Sequence, residues 1–288
     1  MDQSLTGFAF DNHVAHGAIV HFRAGEILRH RHYSADVAHL LSEAMAVMPL
    51  LATHLGFGAR ISLQFQGEGR LKMLVAQVDQ ALNVRAMAKA DAEAQGGLAQ
   101  LMGQGILALT VSREDASRPD TQAMIPLQAE TLSGALQDYF DQSEQLPTLI
   151  RVATQGDALA AFMLQRLPLE HAQGGQDDWE HLRTLSSTLG GQELLQTDAQ
   201  TLLRRLFADA PPLRLFDARP VQSQCRCDRQ VTSALLRSMG QQEVSDIVAE
   251  QGQVELTCEF CGAVQRFSPE HVAQLFGAPD GQKPATRH

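Results

Sequence analysis

QCRCDRQ, residues 224 to 230, and TCEFCGA, residues 257 to 263, contain all four cysteines of this 288-residue chain. The pattern reads C-x-C, then thirty intervening residues, then C-x-x-C. Two tight cysteine pairs suit three chemistries: a structural metal site, a disulfide framework or a redox centre. The rest of the sequence has to decide among them.

The composition is that of an ordinary globular protein. Hydrophobic residues make up 44% of the chain and charged residues 19%, which permits a sizeable core. The formal net charge of −10 argues against broad electrostatic capture of nucleic acid or of an anionic membrane. We therefore expect neither as a partner.

The sequence also indicates a compartment. The N-terminal stretch MDQSLTGFAFDNHV has no basic leader followed by an apolar run, so we expect no signal peptide. No segment approaches the ~18 consecutive apolar residues of a membrane helix. Four cysteines in a chain of this length are too few for a secreted disulfide scaffold. These features predict a cytoplasmic protein.

Residues 35 to 56 carry the clearest helical pattern. Apolar side chains recur there at steps of three and four residues, at Val37, Leu40, Leu41, Ala44, Met48, Leu51 and Leu55. Pro49 falls inside this stripe and is expected to kink the helix or to split it in two.

Alternating patterns follow this helix. Apolar residues at every second position predict an antiparallel meander through 61–65, 71–75 and 82–86, and apolar runs at 105–111 and 123–128 predict two added strands. A helix follows, with Leu132, Leu136, Tyr139 and Phe140 on one side. We expect an α+β domain over residues 1–168, an antiparallel sheet with packed helices.

Residues 169–224 differ in character and predict a helical connector. The glycine-rich break HAQGGQDD precedes two short helical patterns, separated by Gly190-Gly191. In the second pattern, one face consists of Leu195, Ala199, Leu202, Leu203 and Leu206. Helices this short must pack on another element to be stable. Trp179 is interpreted as a packing anchor of this connector.

The remaining module, residues 225–276, is below the size at which a hydrophobic core alone is reliably stable. Its pattern predicts a helix with Val231, Leu235 and Met239, a second helix, a strand, the second cysteine pair, a further strand and a helix opened by Ser268. Residues 277–288 are expected to be disordered. Such a module needs a staple, and a Zn²⁺ ion bound by four thiolates supplies one.

We therefore predict one zinc ion per chain, bound by Cys225, Cys227, Cys258 and Cys261. On spacing alone, a purely structural zinc site is the stronger interpretation. The neighbours Arg226 and Arg229 add a second possibility, because they favour thiolate over thiol and so raise reactivity. Oxidation would convert the ligands to disulfides and eject the metal. Structural zinc contributes ~10–16 kcal/mol in small zinc peptides, so its loss should unfold the module.

At this point the sequence resembles a known family, the 33 kDa chaperonins, which are redox-regulated holdases of the bacterial cytoplasm. The resemblance extends over nearly the whole chain. It rests on CRC and CEFCG, on DDWEHLRTL (177–185) and LLRRLF (202–207), and on YFDQSEQLPT (139–148), QGEGRLKMLVA (66–76) and FDNHVAHGAIV (10–20). The cysteine spacing is the most specific of these motifs.

The resemblance implies a mechanism for each part. The four cysteines would bind zinc in the reduced, inactive protein; on oxidation Cys225 would pair with Cys227, and Cys258 with Cys261. Zinc then leaves, the module and connector unfold, and apolar surface, including that of the 1–168 domain, binds unfolding client proteins without ATP. The active form would be a homodimer that hands clients to ATP-dependent foldases. Independently of the resemblance, the sequence has no G-x-x-x-x-G-K-[ST] phosphate-binding loop, which agrees with an activity that does not use ATP.

Three positions depart from the family's usual pattern. Asp228 stands where serine is common and adds negative charge beside the thiolates; Gly190-Gly191 weakens the connector; and Pro49 interrupts the first helix. None of them removes a ligand.

Other function classes fit less well. Residues 225–288 carry six Lys/Arg and eight Asp/Glu, a balance of −2 that disfavours a nucleic-acid-binding zinc ribbon. A thiol oxidoreductase would keep a free C-x-x-C in a βαβ setting, and a zinc hydrolase would leave one coordination position open. We predict no catalytic residues. His30, His32 and His271 are interpreted as surface residues. The remaining alternative is a constitutive zinc-stabilised protein-binding module without redox switching.

Overall fold

The computed structural model describes residues 3–29, 32–55, 59–113, 120–168 and 175–277. The chain divides into two compact units, Met1–Gln224 and Cys225–His288. The strands of the first unit are β1 Ser4–Phe10, β2 Ala15–Arg23, β3 Ala59–Gly67, β4 Leu71–Val78, β5 Asn83–Ala90, β6 Gly105–Arg113, β7 Thr121–Pro126, β8 Thr148–Gln155, β9 Ala158–Arg166, β10 Leu213–Leu215, β11 Arg219–Pro220 and β12 Gln222–Ser223. Its helices are α1 Ala35–Leu55, α2 Leu98–Met102, α3 Leu132–Gln142, α4 Gln176–Ser187, α5 Gly191–Gln196 and α6 Ala199–Leu206.

The strands of the first unit form two six-stranded sheets. The first sheet has the order β10-β1-β2-β9-β8, with β11 also paired to β1. The second sheet has the order β12-β5-β4-β3-β6-β7. The predicted meander and its two added strands are confirmed as β3 to β7, and the α+β class is confirmed. The second layer, built on the hairpin of β1 and β2, was not part of the prediction.

Helix α1 is the central element of this unit, because it packs against strands of both sheets. Every residue from 44 to 52 is buried, so the helix is covered on all sides and not on one stripe. Its length and mean hydropathy would suit a membrane span, but 72% of that stretch is buried inside the unit. The helix is thus the core helix of a folded domain.

Pro49 does not split α1, which runs without interruption from Ala35 to Leu55. The prediction of a break is wrong here. A proline in a helix removes one backbone hydrogen bond, to the residue four positions earlier. Met48 and Leu50 beside it are fully buried, so packing from both sheets holds the turn that this missing bond weakens.

Helices α4 to α6 cover the outer face of the first sheet. The predicted apolar face is confirmed: Leu202 and Leu203 are fully buried there. Trp179 is 3% exposed in the same cluster, as predicted for a packing anchor. Phe207 follows α6 and lies with its ring centroid 5.0 Å from that of Phe10. Residues 169–174 lie outside the described part, so the extent of the connector stays a prediction.

The second unit contains α7 Arg229–Met239, α8 Gln241–Gln251, β13 Val254–Thr257, β14 Val264–Phe267 and α9 Pro269–Gly277. These elements follow the predicted order. In the described part of this unit, the core consists of five buried side chains: Leu236, Val244, Val254, Phe267 and Val272. The expected tail lies almost wholly outside the described residues.

The buried face of α7 differs from the predicted one. Val231 and Leu235 are each 52% exposed, whereas Leu236 is fully buried. The inward stripe is therefore Thr232, Leu236 and Met239, in part because the hydroxyl of Thr232 donates a hydrogen bond to Gln265 on β14. A long-range polar contact thus helps set the rotation of this helix.

Candidate metal centre

Two segments of the second unit bring the four cysteines together. Cys225 and Cys227 lie in the extended stretch before α7, and Cys258 and Cys261 lie in the turn between β13 and β14. All four Sγ atoms lie within 4.8 Å of one another. Two close contacts cross the pairs, with Cys225 Sγ 3.4 Å from Cys258 Sγ and Cys227 Sγ 3.2 Å from Cys261 Sγ.

The second pair is positioned by the backbone of its turn. The N–H of Cys258 donates to the carbonyl of Ala263 at 2.9 Å, and the N–H of Gly262 donates to the carbonyl of Cys258 at 2.9 Å. Gly262 has φ +70°, a left-handed conformation that side chains with a Cβ disfavour. The glycine after the C-x-x-C is thus required by the reversal that brings both sulfurs to one side.

The first pair is positioned by side chains that the sequence did not single out as ligand supports. The amide of Gln265 donates to the backbone carbonyl of Cys227 and accepts from the hydroxyl of Thr232 at 2.5 Å. One side chain therefore ties together the C-x-C loop, α7 and β14. Nothing in the sequence indicated this contact, which joins residues 38 positions apart.

Asp228 has a local structural role. Its carboxylate accepts a hydrogen bond from the N–H of Val231 at 2.8 Å and so caps the N-terminus of α7. The sequence had suggested an electrostatic disturbance of the thiols. An aspartate directly before a helical stripe is a known N-cap pattern, so this role was readable from the sequence.

Burial and sulfur contacts control the acidity of the four thiols. Burial, with the hydrogen bond to Cys258, raises the pKa of Cys225 to about 11. Burial and the sulfurs of Cys261 and Cys225 also raise the pKa of Cys227. Burial acts in the same direction on Cys258, but the N–H groups of Cys261 and Phe260 outweigh it and lower its pKa. Among thiols alone, Cys258 therefore becomes a thiolate before either cysteine of the first pair.

The prediction that arginines activate the first pair is wrong for the thiol form, since both of its pKa values are raised. The guanidinium of Arg229 lies over the ring of Phe267, with Cζ 4.9 Å from the ring centroid. This arginine is engaged in packing against an aromatic ring.

The arrangement fits a tetrahedral zinc site. Sulfurs at about 2.3 Å from a central Zn²⁺ lie about 3.8 Å from one another, and the observed sulfur distances bracket this value. Among the described residues, these four cysteines are the one group of three or more His, Cys, Asp and Glu with metal-ligand proximity. His271 lies on the surface of α9 with Nδ1 3.1 Å from Ser268 Oγ. His32 is exposed, and His30 lies outside the described residues.

Comparisons with known proteins show which family the chain belongs to. The model of the family described as Hsp33 protein matches residues 3–268. A 33 kDa chaperonin of Ectopseudomonas mendocina is 36% identical over 98% of both chains. One from Neisseria gonorrhoeae is 36% identical over 94% of this chain and 91% of its own. The crystal structure of a 33 kDa chaperonin from Thermotoga maritima has a TM-score of 0.79 at 21% identity, covering 95% of this chain and 97% of its own. The chain belongs to the Hsp33 family.

Proposed function

We propose that the protein is a redox-regulated, ATP-independent chaperone of the holdase type, inactive when reduced and active when oxidised. The observation that carries this proposal is the meeting of all four thiols within 4.8 Å in a unit with a core of five buried side chains. A unit of this size has little stability of its own. Its fold then depends on the chemical state of the four sulfurs.

In the reduced state, Cys225, Cys227, Cys258 and Cys261 would hold one Zn²⁺ per chain. The ion would supply a structural tie between the C-x-C loop and the β13–β14 turn, with no position left for substrate. Metal ligation deprotonates thiols, and the raised pKa values of the first pair then make zinc binding weaken as pH falls.

Oxidation would remove the ligands. Each disulfide forms from two thiols with loss of two electrons and two protons, which one molecule of peroxide accepts to give two waters. Resemblance to the family implies the pairs Cys225–Cys227 and Cys258–Cys261. Pairing within each pair leaves the C-x-C loop without a covalent or metal link to the β13–β14 turn. Helices α7 and α8 then lose the anchor that positions them.

Unfolding of the second unit would affect the first unit through segment 169–224, which joins the two along the chain. Cys225 follows directly on Gln224, whose N–H bonds the carbonyl of Val84 on β5, so unfolding of residues 225–277 would leave segment 169–224 held by its own contacts with the first unit. The helices α4 to α6 cover Phe8 and Phe10 on the first sheet, both buried to 1% exposure or less. Their release would expose an apolar face able to bind unfolding client proteins. The oxidised protein would act as a homodimer in the cytoplasm and pass its clients to ATP-dependent foldases.

One observation favours the alternative, a constitutive zinc-stabilised binding module. Val231 and Leu235 present two half-exposed apolar side chains on α7 while the four thiols are together. A surface of this kind would be available without oxidation. The two functions differ in whether binding depends on the redox state.

The deciding experiment measures zinc content, free thiols and suppression of aggregation of a heat-unfolded model protein, before and after peroxide treatment. We expect release of one zinc and loss of four thiols per chain together with the gain of activity, reversed by thiol reductant plus zinc. Peptide mapping identifies the disulfide pairs. Equal suppression by the reduced, zinc-loaded protein would favour the constitutive module.

A further inference from the structure

The second sheet has one face that no helix covers in the described part of the chain. Along β3, Leu63 and Phe65 point into the core around α1, whereas Gln64 and Gln66 point the other way and are exposed. The corresponding outer face of the first sheet is covered by α4 to α6. The outer face of the first sheet is therefore buried under helices, whereas the outer face of the second sheet is exposed in the described residues.

Strand register shows what this uncovered face presents. Gln64 lies opposite Ala108, which lies opposite Met124, and Gln66 lies opposite Ile106. Ile106 is 51% exposed and Met124 60% exposed, among the most exposed large apolar side chains described. They line a groove of about 660 Å³. We call this surface the open face: Gln64, Gln66, Ile106, Ala108, Gln122 and Met124.

The polar groups of the open face suit a peptide backbone. Within the described residues, no hydrogen bond joins the side-chain amide of Gln64 or Gln66 to another residue. Each amide offers both a donor and an acceptor, which matches the N–H and carbonyl groups of an extended chain of any sequence. Glu68 is the one charged side chain among the described residues that line the groove. The surface therefore selects weakly by charge.

The apolar groups and the sheet edge suit the same occupant. Methionine is flexible and polarisable, and adapts to differently shaped partners. Among the described residues, β7 pairs with β6 alone and forms an edge of the sheet. An extended segment can add to such an edge through its main chain, while its side chains contact the adjoining face.

We propose that the open face binds extended segments of unfolded polypeptide. This inference rests on the proposed chaperone function and names a second surface for it, one that is available in both redox states. Two half-exposed apolar side chains give weak binding alone. When the first sheet is also uncovered, one client engages both surfaces, and the second contact becomes intramolecular. Oxidation then switches affinity although the open face itself does not change.

The test uses the double variant Ile106→Gln/Met124→Gln and the matched control Ile106→Val/Met124→Leu in the full chain. The probe is fluorescently labelled, reduced and carboxymethylated α-lactalbumin, which stays unfolded in buffer, and the readout is its Kd by anisotropy. We expect the glutamine variant of the oxidised protein to bind about tenfold more weakly and the control to bind within twofold of the wild type. Both substituted positions are exposed, and an unchanged urea midpoint establishes that the fold is intact.

A photo-crosslinking residue at position 124 identifies the occupant. Cross-links to the probe support the inference. Cross-links between two copies of the chain, or a Kd unchanged in the glutamine variant, overturn it. If wild-type binding depends on oxidation and the variant equals the wild type, the open face fails while the proposed function stands. If binding is equal in both redox states but weakened by the variant, the switch fails while the open face stands.

Discussion

The two compact units of this chain are stabilised in different ways. The first unit surrounds a 21-residue helix with two sheets, and its main core cluster extends from Leu5 to Val221. The second unit has five buried side chains and four clustered thiols. Hydrophobic burial does not respond to oxidants, whereas thiolate ligands do. One chain can therefore combine a unit whose fold does not depend on oxidants, here called the permanent unit, with a unit whose fold depends on the state of its thiols, here called the conditional unit.

The largest expected effect comes from breaking the conditional unit at its ligands. Cys258→Ser removes one of the four proposed zinc ligands, and we expect zinc binding at stoichiometric concentrations to be lost and residues 225–277 to unfold. The reason is that the metal contributes on the order of 10 kcal/mol, more than such a small core provides. Amide hydrogen exchange should show loss of protection in α7 to α9 with α1 unchanged.

Ser238→Ala is the matched control, since this hydroxyl on α7 bonds the carbonyl of Leu235 and contacts no sulfur. It should retain zinc and protection. A Cys258→Ser variant with undiminished zinc affinity would show that the four sulfurs do not act as one site.

The second effect concerns the first unit when shortened to residues 1–168. We expect this fragment to fold around α1 but to bind a hydrophobic dye strongly, because it lacks the helices that cover Phe8, Phe10 and Phe162. The reduced full-length protein, in which α4 to α6 cover these side chains, should bind the dye weakly. Circular dichroism and dye fluorescence check both. A fragment 1–168 without helical signal would show that segment 169–224 belongs to the core fold.

The sequence predicted those helices and strands whose apolar residues recur with a regular local spacing. The stripe of α1 and the alternation of β3 to β5 depend on neighbouring residues, so their period was readable. Strands β10 to β12 have two or three residues each and exist through pairing with β1 and β5, more than 130 positions earlier. No local pattern encodes such pairing.

The candidate site also has parts that were predictable from local sequence and parts that were not. The clustering of the four cysteines was predicted because cysteine pairs at metal spacing have few other uses. Their binding of zinc stays a prediction. Gln265 was missed, since its role depends on a contact with Cys227 and Thr232 that exists only after folding. The face of α7 was misassigned for the same reason.

Gln265 itself offers a sharper test of how the conditional unit is held. Gln265→Leu keeps the volume but removes the donor to the Cys227 carbonyl and the acceptor for Thr232. We expect zinc affinity to fall about 10- to 100-fold, as for other groups that position metal ligands. Competition with a chromogenic chelator measures it. The control Gln251→Leu, at the end of α8, should not change affinity.

Two substitutions of Asp228 distinguish its role as a helix cap from the effect of its negative charge. Asp228→Ala removes the cap on α7 and should lower the free energy of unfolding of the second unit by ~1 kcal/mol. Asp228→Asn retains the cap and removes the charge, and should be close to the wild type. Chelator-induced unfolding compares the three proteins. If Asn behaves as Ala does, the negative charge beside the thiols matters and the cap does not.

The smallest effect lies in the permanent unit, at a buried imidazole that contacts a connector helix. His21 Nε2 lies 2.7 Å from the carbonyl of Leu194 on α5. Burial lowers the pKa of His21 and outweighs the opposing influence of that carbonyl and of Asp198. The neutral ring, donating Nε2–H, is thus the folded form.

Since the unfolded pKa is about 6.5, the contribution of His21 to stability is complete above that pH and is lost as pH falls towards the lower folded value. His21→Gln should flatten the fall in the urea midpoint of the first unit between pH 7.5 and 5.5 in the reduced full-length protein, because glutamine keeps a donor but does not titrate. An equally steep fall in the variant would assign the pH dependence to other groups.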